Sequence, residues 1–123
     1  MIHKHKITVA VAGSDGSATG SNQSREPING RLIAAHLDYV TQPATCDVTI
    51  TATLPTRSLL AVANSATDAV YYPRAQVQDL AGAGVTYDET SEVYDTVPLN
   101  DYVNVAVAGG NAGSVIVTLY VEG

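Results

Sequence analysis

The sequence predicts an all-β fold, an antiparallel β-sandwich of jelly-roll or Greek-key-like type with seven or eight short strands, in a single domain over residues 1–123. Three observations carry that prediction. Apolar and polar residues alternate in run after run, most cleanly over 99–107 and 115–121. Clusters of Gly, Ser, Asn and Asp separate the runs at fairly even spacing. The aromatic complement is seven Tyr with neither Phe nor Trp, so the interior must be built from Val, Leu, Ile and Ala, side chains that suit thin packed sheets.

The first run sets Ile7, Val9 and Val11 against Thr8, Ala10 and Ala12. Residues 13–24 follow, so rich in turn formers that they read as one long exposed loop. Arg31 to Val40 is ambiguous, because Leu32, Ile33, His36 and Leu37 would also share a helix face. A strand is preferred, with Ile33, Ala35, Leu37 and Tyr39 inward, since Gln42-Pro43 makes a hairpin-scale break and the flanking elements are strands. Cys46, Val48, Ile50, Ala52 and Leu54 alternate with Asp47 and three threonines as a half-exposed strand. Pro55 ends it, and Ser58 to Ala63 reads as a short buried strand. Ala69 to Arg74 contains Pro73, which cannot donate to a ladder, and so reads as an edge strand. Gln78 to Asp88 is expected to be a crossover loop.

The closing segment is read as a β-hairpin. Leu99, Val103, Val105 and Val107 share one face, Val115, Val117, Leu119 and Val121 share another, and the glycines between them supply turn conformations. On that reading the outward residues Asn100, Tyr102, Asn104, Thr118 and Tyr120 form a single candidate contact face.

Composition excludes several classes of function. A net charge of −6, from six Lys and Arg against twelve Asp and Glu, repels phosphate backbones, so no nucleic-acid partner is expected. No apolar run has the length of a bilayer span and no secretory leader is visible, so a soluble protein without a membrane partner is expected. Lys4 and Lys6 make residues 1–6 a charged N-terminal arm, either a solvated tail or a docking element for an acidic partner.

No set of residues reads as catalytic, and no enzyme activity or cofactor is expected. His3 and His5 have metal-ligand spacing without an identifiable third ligand. His36 and Asp38 lie two residues apart, but the nucleophile elbow and oxyanion hole of a hydrolase are missing. Cys46 stands alone, with the parity of a core residue. Asp88, Glu89, Glu92 and Asp95 lack the spacing of an EF-hand loop and read as a solvated acidic segment.

Three segments, 25–33, Ala69 to Arg74 and Val97 to Asp101 leading into the closing strands, together resemble the small β-rich virion structural proteins of tailed bacteriophages that decorate or cement the capsid. The resemblance implies a protein made in the host cytoplasm and located on the virion surface. There it would bind the outside of the assembled shell as a homo-oligomer, with a trimer favoured, and bridge neighbouring subunits of the major capsid protein. Its contacts would come from Lys4 and Lys6, the 13–24 loop, Tyr71, Tyr72 and Arg74, with Tyr102 and Tyr120 on the closing strands. Tyr71 and Tyr72, as neighbours in a strand, must face opposite ways. The alternative is a carbohydrate- or receptor-binding module of an adhesin or tail fibre, with Tyr87, Tyr94, Asp88 and Asp95 as a sugar platform.

Overall fold

Each alternating run buries its apolar parity, and the buried faces meet in one core between two antiparallel sheets. The computed structural model describes residues 1–53, 56–78, 80–86 and 91–123. Among them are ten strands, β1 (Ile2–Val11), β2 (Ala18–Gln23), β3 (Ile28–Val40), β4 (Asp47–Thr53), β5 (Thr56–Val62), β6 (Ala69–Tyr71), β7 (Arg74–Gln76), β8 (Tyr94–Asp101), β9 (Val103–Gly110) and β10 (Gly113–Glu122). The six-stranded sheet has the order β1-β10-β3-β8-β7, with β6 also paired to β3, and the four-stranded sheet has the order β2-β9-β4-β5. The eight principal strands therefore run 1-10-3-8 against 2-9-4-5, the paired Greek keys of a jelly roll.

Val9, Leu37, Val117 and Leu119 from the larger sheet face Val48, Ile50, Val103 and Val105 from the smaller, all fully buried. Burying one such side chain contributes about 1.5–3 kcal/mol relative to exposure, so the register of every strand is set by its inward set. At one end of the six-stranded sheet the Gly123 N–H donates to the Met1 carbonyl at 3.2 Å, closing the chain on itself. Among the described residues no helix is long and apolar enough to cross a membrane.

The largest correction concerns the closing segment. It is not a hairpin, because β9 and β10 lie in different sheets and face each other across the core. Matching parity is satisfied equally by strands side by side and by strands face to face, so alternation alone does not separate the two. Gly109, at φ +63°, bends the end of β9 just before the Asn111–Ala112 turn, and a Cβ there would come within 2.6 Å of the Thr45 carbonyl. Gln42 holds the same turn, its Nε2 donating to the Asn111 carbonyl at 3.1 Å and its Oε1 accepting from the Asn111 N–H at 3.0 Å.

Residues 31–40 form a strand, as preferred, but Ile33 is not inward. The register on β10 steps from Tyr120↔Ala34 to Val121↔Leu32, which leaves Ile33 as the extra residue of a β-bulge. Parity therefore switches, with Ile28 and Leu32 inward before the bulge and Ala35, Leu37 and Tyr39 after it.

Residues 1–6 are not a tail or an arm either. Ile2 to Lys6 pair with β10 in continuous register from Ile2↔Glu122 to Lys6↔Thr118. The parity of Ile7, Val9 and Val11 carries His3 and His5 here, and Ile2 is exposed on the other parity, so no apolar alternation marks this half of the strand. The 13–24 segment is a short turn followed by β2, which pairs with β9. Ser58 to Val62 belongs to β5, an edge strand rather than a buried one, and Ala63 lies just beyond it. With β2 found and β7 separate from β6, the strands exceed the expected seven or eight.

Candidate functional site

Antiparallel register places the outward side chains of the six-stranded sheet in rows. One row runs Lys4, Tyr120, Ala34; the next Lys6, Thr118, His36, Val70; the third Thr8, Ile116, Asp38. The Lys4 ammonium sits 5.7 Å from the centroid of the Tyr120 ring, within range of a cation–π contact. The result is a face carrying basic, acidic, apolar and hydroxyl groups in three cross-strand rows.

This face holds three of the expected contact residues, Lys4, Lys6 and Tyr120. Tyr102 does not join them. It lies at the crossover between β8 and β9, where its carbonyl accepts from Thr53 Oγ1 at 3.1 Å, and Asn104 beyond it belongs to the four-stranded sheet. The single outward face expected of Asn100, Tyr102, Asn104, Thr118 and Tyr120 is thus split between opposite sides of the sandwich. The cause is the same misread connection, since strands taken as neighbours are in fact across the core from each other.

Tyr71 and Tyr72 part company as strand geometry requires. Tyr71 pairs with buried Ala35 and packs on the core, whereas Tyr72 is 64% exposed. Tyr71 also stands beside Tyr39, whose phenol is pushed up to about 12, first by burial and then by Tyr71. The Arg74 side chain serves the fold: its Nη1 donates to the Ile33 carbonyl at 3.0 Å and to the Pro73 carbonyl at 2.8 Å, pinning the bulge.

A second feature lies at one side, where the edges of the two sheets approach. Two adjoining grooves, of about 200 and about 430 Å³, run between β1 at Lys4–Thr8 and the segment from Asn22 to Glu26. Three cations, Lys4, Lys6 and Arg25, line them, with Glu26 as the carboxylate on the far wall. Nothing in the sequence marks Arg25 as a contact residue, because its neighbours in space come from a distant strand.

The remaining titratable groups are dispersed. His36 and Asp38 both lie on the outer sheet face, with Thr118 and Ile116 as their cross-strand neighbours on β10. Cys46 is fully buried, and burial first, then Asp47, raises its thiol, which opposes reactivity. Asp95 forms an ion pair with Arg31 at 3.5 Å, and its carboxyl is held below the usual range chiefly by the Thr96 N–H. Glu92 accepts from the Tyr94 hydroxyl, which raises that phenol. Tyr87, Asp88 and Glu89, like Leu54 and Pro55, lie outside the described residues, so half of the expected sugar platform does too. Among the described residues no three His, Cys, Asp or Glu converge where a metal could be held.

No protein-family model matches the chain, and no curated protein matches it in sequence. Among solved structures it is similar to the exo-β-1,3-galactanase of Phanerochaete chrysosporium, determined with galactose, at 12% identity and a TM-score of 0.34. The match covers 96% of this chain but only 27% of the galactanase.

Proposed function

We propose that this chain is a non-enzymatic virion structural protein that binds the outside of an assembled phage capsid and bridges neighbouring subunits. The observation that carries the reading is the outer face of the six-stranded sheet, where Lys4, Lys6 and Tyr120 stand among Thr118, Ile116 and Val70. Such a face offers mixed polarity along three cross-strand rows, the character of a protein-contact surface. Jelly rolls serve both capsids and lectins, so the fold alone does not choose between them. A rigid domain repeated over a symmetric shell gains strength from many moderate contacts, which favours the structural role.

The test is to titrate the purified protein onto shells assembled from a tailed-phage major capsid protein. Saturable, stoichiometric co-sedimentation is expected, weakened several-fold by Tyr120→Ala. Absence of shell binding together with retention on a glycan array would replace this reading with the carbohydrate-binding one.

A further inference from the structure

We infer that the free edge of β1 takes an extended, acidic segment of a partner chain as an added strand. Only part of that edge is used within the molecule. Ala12 exchanges both backbone bonds with Thr19 at 3.1 Å, the Thr8 carbonyl accepts from Asn22 Nδ2 at 2.9 Å, and the Ala10 carbonyl lies against Gly20 so closely that a Cβ would not fit. All three are even-numbered, as expected when every second residue of an antiparallel edge strand points its N–H and C=O away from its partner. The same alternation turns the N–H and C=O of Lys4 and Lys6 into the groove facing Ser24–Glu26. Among the described residues no backbone group pairs with them there.

Charge selects the occupant. Lys4, Lys6 and Arg25 are half of the six Lys and Arg in a chain of net charge −6. The other three are engaged: Arg31 with Asp95 and Arg57 with Asp101, each at 3.5 Å, and Arg74 with backbone carbonyls. Lys4, Lys6 and Arg25 meet no carboxylate within ion-pair distance among the described residues. An added strand sets alternate side chains opposite Lys4 and Lys6 on the outer face, and carboxylates are favoured there. The residue between them points inward toward His5 and Ile7, where an apolar side chain fits. The motif read by the edge is therefore acidic-apolar-acidic. A second copy of β1 is disfavoured, because antiparallel self-pairing centred on this stretch sets lysine against lysine.

This inference rests on the reading of the protein as a binding module, but not on the partner being a capsid subunit. The ¹⁵N-labelled full chain is titrated with a capped nine-residue peptide centred on Glu-Val-Glu-Val-Glu, and with its Lys-Val-Lys-Val-Lys counterpart. The acidic peptide is expected to slow exchange of the Lys4 and Lys6 amides at least tenfold, to bind more weakly as salt rises, and to lose at least tenfold in affinity to the surface variant Lys4→Glu/Lys6→Glu. Equal binding of the basic peptide overturns the inference, as do shifts confined to the outer sheet face with exchange at Lys4 and Lys6 unchanged. Protection of those amides that grows with protein concentration and no peptide assigns the edge to a second copy and also overturns it. Peptide binding without shell binding removes the capsid reading alone, and shell binding with no protection of the Lys4 and Lys6 amides by the acidic peptide removes the edge inference alone.

Discussion

Asp101 shares the inward parity of Leu99 and Val103 and is 1% exposed, a carboxylate where the pattern calls for an aliphatic side chain. Its company explains its tolerance: Arg57 Nη2 at 3.5 Å from one oxygen, and the Asn100 N–H donating to the other at 3.3 Å. Arg57 also donates to the Pro98 carbonyl at 3.1 Å, tying the small sheet to the large one. Breaking such a pair from one side strands the other charge, so Asp101→Ala is expected to cost about 2–3 kcal/mol in urea unfolding, with much of the loss recovered by Asp101→Leu/Arg57→Met. Tyr39 yields a prediction in pH. Its phenol ionises near 10 when unfolded and at about 12 in the fold, so between those values the unfolded chain gives up the proton first. The associated stability is whole below pH 10 and is lost as pH rises through 12. Stability against urea is therefore expected to fall by about 1–2 kcal/mol across that window, less steeply in Tyr39→Phe.

At the scale of elements, β1 is the strand whose meaning changes most. Because Ile2 to Lys6 pair with β10, deleting residues 1–6 uncovers the ladder edge of β10 as well as part of the core. A loss of about 1–3 kcal/mol is expected, read as a lower thermal midpoint, whereas a solvated tail would leave the midpoint unchanged. Strands such as β4 and β10 are legible in the sequence because each keeps one parity from end to end. β3 is legible as a strand but not in its facing, since the bulge at Ile33 exchanges inward and outward sets midway and no residue there announces it. β2 hides because Ala18 is the one inward residue its composition supplies in bulk-free company, Gly20, Ser21 and Asn22 being turn formers that are recruited by β9. Of the candidate contacts, Lys4, Lys6 and Tyr120 were visible as residues. Their assembly into one face depends on the pairing of the first strand with the last, a non-local choice that alternation does not encode.

For the molecule as a whole, the jelly roll separates two outer faces that the sequence presents as one. The six-stranded face carries Lys4, Lys6, His36 and Tyr120, and the four-stranded face carries Thr49, Thr51, Asn104 and Ala106. Substitutions on the first are expected to weaken shell binding several-fold, and Thr51→Ala or Asn104→Ala on the second to leave it within twofold, measured by co-sedimentation. The bond between Gly123 and Met1 has a consequence for the chain's topology as a string. Since residues 1 and 123 already touch, a short linker can join them, and new ends can be opened in the turn at Ser14–Ser17. Such a circular permutant is expected to retain the native amide spectrum away from the two junctions. In the unpermuted protein, passengers fused to residue 1 and to residue 123 would leave from the same corner and travel side by side.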